Sequence, residues 1–160
     1  MESKQEIVTI PGHWDISFQY AAGATGSEFL RRLRDEKRIS GVQCPQCRRV
    51  ILPPRGFCDR CFAAVEGCVD VGPLGRIEAF TITTEAFLGL PDPPYAIAYV
   101  ALDGASTAMV NFVRGVDLSD VHEAARALAV GTRVTVGWSR RRKGRVTDFH
   151  YRLAKTRARA

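Results

Sequence analysis

The sequence predicts a mainly β protein: an N-terminal helical segment, a four-cysteine metal module, then a small closed barrel of five strands. Three observations carry that prediction. Two Cys-x-x-Cys pairs fall within an 18-residue window. The second half of the chain is made of strand-length, β-rich runs separated by Gly, Pro and Asp-Gly. Helical periodicity appears in only two stretches, one before the cysteines and one between the third and fourth strand-like runs.

Residues 1–40 read as an irregular, aromatic arm leading into a helix. Thr25 and Glu28 have capping-box spacing, which makes Thr25 the expected N-cap. Phe29, Leu30 and Leu33 follow at helical spacing, with Arg31, Arg32, Arg34, Asp35 and Glu36 on the other faces. Residues 41–70 are the cysteine module, and the Pro-Gly-rich Val71–Gly75 is a joint. Residues 71–154 are then a barrel. Arg76–Phe87 is its first strand, with Ile77, Ala79 and the threonines set against Glu78, Phe80 and Ile82. Tyr95–Leu102 is an apolar run of strand length, and Asp103-Gly104 signals the hairpin that returns through Thr107–Val113. Asp117–Leu128 is a helix with Asp117 or Ser119 as N-cap. Thr132–Trp138, a basic turn at Ser139–Gly144 and Val146–Leu153 complete the strands. Three strands, a helix and two strands is the order of an OB-fold barrel. Residues 155–160 are a basic tail, expected to be solvated.

The composition, 46% apolar and 25% charged, is that of a globular protein with a core of its own. No apolar run reaches the roughly 20 residues of a membrane span. The first 30 residues carry His13, Asp15 and Glu28 and lack a signal-peptide pattern, so a cytoplasmic location is expected. The net charge of +6 is unevenly placed. Residues 139–160 hold nine Lys/Arg against Asp148, and the rest of the chain is slightly acidic. A duplex-binding face needs positive charge over the folded surface, so nucleic-acid binding is the weaker reading. It rests on the basic end and on Phe80, Tyr99 and Phe112 as stacking groups.

Cys44-Pro-Gln-Cys47, ten residues, then Cys58-Asp-Arg-Cys61 is the spacing of two metal knuckles. Each pair reaches one ion from a tight turn, and two pairs complete a tetrahedron. The same four thiolates serve a rubredoxin-type iron centre; ligand preference favours zinc. Four protein ligands leave no open position, so such a zinc is structural. Arg48, Arg49, Arg55 and Arg60 can offset the negative charge of the thiolates or reach an anionic ligand. No catalytic constellation is visible. Cys68 lies in an apolar and acidic stretch that disfavours the thiolate, and His13, His122 and His150 are scattered, as surface or packing residues are.

The run from Gly41 to Phe62, with Pro53-Pro54-Arg55 before the second knuckle, resembles the rubredoxin-like zinc ribbon of the acyl-CoA-associated OB-fold family, long described only as a domain of unknown function. The Phe29-Leu30-x-x-Leu33 helix, Gly75-Arg76-Ile77, Pro93–Ala98 and Gly131–Val134 are similar to its other segments, over about residues 25 to 150. One departure is Arg48, where the family often has glycine. The resemblance implies a non-catalytic accessory subunit in a hetero-oligomer with a dimeric thiolase-superfamily enzyme: a thiolase, a related aldolase or a hydroxymethylglutaryl-CoA-synthase-type enzyme. It also implies help in positioning acyl-CoA, with the partner supplying the nucleophile. On that expectation Arg55, Arg114, Arg140, Arg141, Arg142 and Lys143 are candidate contacts for the CoA phosphates. Trp14, Phe18 and Tyr20, with Phe29 and Leu33, are candidates for the partner interface, since large aromatics are enriched there.

Overall fold

The computed structural model describes residues 8–14, 16–65 and 67–154. Its elements are α1 (Gly23–Asp35), β1 (Ser40–Gln43), β2 (Val50–Ile51), β3 (Val69–Asp70), β4 (Leu74–Thr83), β5 (Tyr95–Leu102), β6 (Ala108–Val113), α2 (Val121–Ala127), β7 (Arg133–Trp138) and β8 (Phe149–Leu153), with a 3-10 turn at Val146–Asp148. β1 is the centre of a small antiparallel sheet in the order β2-β1-β3, and β4-β5-β6-β8-β7 close into a barrel. The one parallel pairing, β6 with β8, sits where α2 interrupts the up-and-down order. This is the expected five-stranded OB-fold. Among the described residues no helix is long and apolar enough to cross a membrane. Residues 155–160 lie outside the described residues.

The barrel interior is filled by Ile77, Ala98, Val100, Leu102, Met109, Val134, Phe149 and Tyr151, and α1 belongs to the same core. Phe29 and Leu33 stand one turn apart on one helix face and are buried, at 4% and 0% exposure, with Ile39 and Leu52. They were expected at a partner surface. Instead they anchor the helix to its own barrel, burial being worth about 1.5–3 kcal/mol for each side chain. Ala22, not Thr25, holds the N-cap position of α1, and no side chain caps it. Glu28 does not reach back to Thr25, because it pairs with Arg31 and Arg32.

β4 departs from simple alternation. A bulge between Ile77 and Ala79 switches the faces, so Gly75 and Ile77 point inward before it, and Phe80 and Ile82 pack on the core after it. The expected grouping of Ile77 with Ala79 and the threonines fails at that extra residue. In α2, Asp120 is the cap, accepting from the amides of His122 and Glu123, while Asp117 accepts from the Ser119 amide in the preceding turn. The helix therefore starts later than the sequence suggests.

The basic loop between β7 and β8 is organised by a buried carboxylate. Asp148 accepts from the amides of Lys143 (2.9 Å), Gly144 (2.7 Å) and Arg145 (3.1 Å). Arg142 donates to the carbonyls of Arg34 and Ser139, tying this loop to the C-terminal end of α1.

Candidate metal centre

Two tight turns bring the four cysteines together. In the first, the Arg48 amide donates to the Cys44 carbonyl at 3.0 Å and the Cys47 amide approaches the Cys44 sulfur at 3.5 Å. In the second, the Phe62 amide donates to the Cys58 carbonyl at 2.9 Å and the Arg60 amide approaches the Cys58 sulfur at 3.4 Å. The two knuckles thus close with the same hydrogen bond, the amide four residues on donating to the first cysteine's carbonyl. Each needs a left-handed residue just after its second cysteine: Arg48 has φ 60° and Phe62 has φ 56°. An L side chain in that conformation costs about 1–2 kcal/mol, so glycine at either position would relieve strain.

All four sulfurs lie within 4.8 Å of one another, and Cys47 Sγ and Cys58 Sγ are 3.7 Å apart. A tetrahedron with Zn–S of about 2.3 Å has edges of about 3.8 Å, so the donor set fits a zinc ion. As free thiols the cluster is frustrated: the hydrogen bond with Cys47, then burial, pushes the Cys61 thiol up to about 12. A dication removes that obstacle by replacing the shared protons. Cys44 and Cys58 are fully buried, and Cys47 and Cys61 half-buried. The two buried ligands form the ribbon's own core cluster with Val42, Ile51 and Val65, and the other two pack against it, so the zinc is structural.

The charge around the ribbon is partly internal. Arg49 and Arg55 both approach Asp59, at 3.3 and 3.9 Å, whereas Arg48 and Arg60 form no ion pair among the described residues. The ribbon is fixed to the barrel at the β5–β6 hairpin. Ser106 exchanges hydrogen bonds with Val50, its hydroxyl accepting from the Val50 amide and its own amide donating to the Val50 carbonyl. The Thr107 hydroxyl does the same with both backbone groups of Leu52.

The other residues singled out from the sequence do not converge. Arg55 is on the ribbon, Arg114 at the end of β6, and Arg140, Arg141, Arg142 and Lys143 in the β7–β8 loop against α1. Trp14, Phe18 and Tyr20 are exposed, at 84%, 75% and 83%, on the extended arm before α1. Cys68 is half-buried beside the neck of the ribbon. Sequence reasoning passed over Ser106, Thr107 and Asp148, which have polar side chains with no local pattern to show what they bond.

Fold and centre together define a zinc-ribbon protein with an OB-fold barrel. Two family models match it in tandem: the rubredoxin-like zinc ribbon domain of ChsH2 over residues 31–66, and the C-terminal OB-fold domain of ChsH2 over residues 68–139. The chain belongs to this family of zinc-ribbon and OB-fold proteins. Among solved structures it is similar to a chain of the Ltp2–ChsH2(DUF35) aldolase, with a TM-score of 0.61 and 16% identity, covering 84% of this chain and 98% of that one. It is also similar to a protein of unknown function from the DUF35 family of Sulfolobus solfataricus, with a TM-score of 0.59 and 18% identity over 82% of this chain and 87% of that one. At such identities the likeness is one of fold. No curated protein sequence matches the chain.

Proposed function

We propose that this chain is a non-catalytic subunit of a cytoplasmic hetero-oligomeric enzyme of the thiolase superfamily, and that it helps to position the acyl-CoA substrate. The observation that carries this reading is the tandem match to both ChsH2 domains, since the structurally similar ChsH2-type chain is part of an aldolase complex. The exposed arm supports it. Val8, Ile10, Trp14, Ile16, Phe18 and Tyr20 leave a run of apolar surface uncovered by the described residues, as an interface segment does. Arg55, Arg114, Arg140, Arg141 and Lys143 remain the candidate phosphate contacts, while Arg142 is already engaged with α1. A dimeric partner gives a two-plus-two assembly by symmetry.

Co-purification tests the proposal. The tagged chain is expressed with the proteins encoded beside it and washed at about 0.3 M salt, where purely electrostatic contacts are weakened. A stoichiometric thiolase-like protein whose activity requires this chain is the expected result. Elution alone, or with RNA that survives the wash, overturns the subunit reading; the RNA outcome favours the basic β7–β8 loop and the exposed Tyr99 as a nucleic-acid face.

A further inference from the structure

The outer face of β6, β8 and β7 carries a group of side chains that neither the metal centre nor the fold requires. The Arg114 amide donates to the Tyr151 carbonyl at 2.9 Å, which places Arg114 beside His150 and Arg152 on β8. Gly137 on β7 is directly opposite His150. His150 is 3% exposed, and Arg152 Nε donates to its Nε2 at 3.0 Å. A guanidinium only donates, so the neutral imidazole carries its proton on Nδ1, and that atom is buried without a partner. Burial first, then the positive charges of Arg114 and Arg152, holds this imidazole below its usual range.

Gly137 keeps the space clear. A β-carbon there would lie 2.6 Å from His150 Nε2 and 3.0 Å from Arg152 Nε. Neither Arg114 nor Arg152 forms an ion pair among the described residues. Two unpaired guanidiniums therefore flank a buried donor with no acceptor, an arrangement that costs free energy until an anion completes it. Arg114 also lines a cleft of ≈ 330 Å³ whose apolar side is formed by Tyr95, Phe112, Val116 and Leu118. Asp92 is on the same cleft and makes no ion pair with Arg114. The volume is within the range of small-molecule sites.

We infer that Arg114, His150 and Arg152 form an oxyanion site for the phosphoryl group of an organic phosphate ester, whose apolar body occupies the Tyr95–Phe112 cleft. Guanidinium forks match phosphate oxygens in pairs, and a dianion compensates both arginines at once. The site deepens the subunit reading, on which it rests for its ligand class, and is built from this chain alone. Of the separate candidate contacts for a CoA phosphate it selects one, and its failure would leave co-elution with an enzyme untouched.

The test is an NMR titration of the zinc-loaded full chain, following the three histidine imidazoles with phenyl phosphate, inorganic phosphate and phenol. Phenyl phosphate is expected to move the His150 signals saturably and to raise the pH at which they titrate. It should bind at least fivefold more tightly than inorganic phosphate, and phenol should leave His150 unmoved. Arg114→Gln should weaken binding about tenfold or more, with Arg114→Lys recovering part of it. The double variant R31Q/R126Q, which removes two exposed charges on α1 and α2, should bind as the parent does. The inference is overturned if His150 stays still while other signals saturate. It is equally overturned if R31Q/R126Q loses as much affinity as R114Q, since the effect is then one of diffuse charge.

Discussion

Removing zinc should unfold residues 42–65 and leave the helix-capped barrel standing. Among the described residues the ribbon's own core cluster buries Val42, Ile51 and Val65 besides two of the ligands, about 5–9 kcal/mol at 1.5–3 kcal/mol per side chain. A structural zinc contributes roughly 10–16 kcal/mol, so the ion outweighs the apolar core. Phe29, Leu33 and Ile39 belong to the other cluster, which loses Leu52 but keeps its remaining members when the ribbon melts. What the barrel loses is its anchorage at Val50 and Leu52. Those four hydrogen bonds, at about 1 kcal/mol each, and the burial of the Leu52 side chain, about 1.5–3 kcal/mol, amount to about 6–7 kcal/mol. At roughly 2–4 °C per kcal/mol for a chain of this size, the barrel's Tm should fall by about 12–28 °C. Hydrogen exchange with and without a chelator reads this directly. Amides 42–65 should exchange freely in the metal-free protein, with β4–β8 and α1 still protected. Loss of protection throughout the chain would refute the two-cluster reasoning, as would a ribbon still protected once metal analysis shows it empty.

Leu33→Ala should cost about 2–5 kcal/mol in urea unfolding, whereas the triple variant W14A/F18A/Y20A should change stability by less than about 0.5 kcal/mol while reducing partner co-elution. Asp148→Asn presents a donor to three amides that need an acceptor, so a loss of about 1–3 kcal/mol is expected, with local unfolding of 139–147 visible as faster exchange. Because burial and two arginines hold the folded His150 below its unfolded pKa of about 6.5, the unfolded state takes up a proton that the native state refuses. Stability should therefore drop as pH falls below about 6.5 and be recovered above it. His150→Gln, compared by urea midpoints at pH 7.5 and 5.5, should flatten that slope.

Much of this was legible because the signals are local. Four cysteines at knuckle spacing need no tertiary information, and the Asp103-Gly104 hairpin and the run Tyr95–Leu102 were bounded by their own residues. Elements whose neighbours decide their role were not. Thr25 and Glu28 have the spacing of a cap, but Glu28 has two arginines within one helical turn, and those contacts prevail. The bulge in β4 adds a residue that no period-2 pattern reveals in advance. Phe29 and Leu33 look like a narrow unpartnered stripe until the barrel, whose first strand begins 41 residues after Leu33, closes over them. His150 was legible only as a histidine in a strand. Its unusual surroundings come from β6 and β7, and Gly137 was its one trace in the sequence.

The neck of the ribbon has a consequence for how such chains can change. The chain leaves the helix-and-barrel body at Ile39 and returns at Val71, whose amide donates to the Ile39 carbonyl at 3.0 Å, and Ser40 pairs with Asp70 alongside. Arg32 and Arg38 clasp the same Asp70 from outside, at 2.8 and 3.0 Å. Topologically the ribbon is an insertion with adjoining ends, and among the described residues Leu52 is its single contribution to the barrel's core cluster. It can be lengthened, exchanged for a relative's or excised with a short turn in its place, without rerouting the body. Grafting is then a way to assign partner choice, with the chimera's preference following whichever module dictates it.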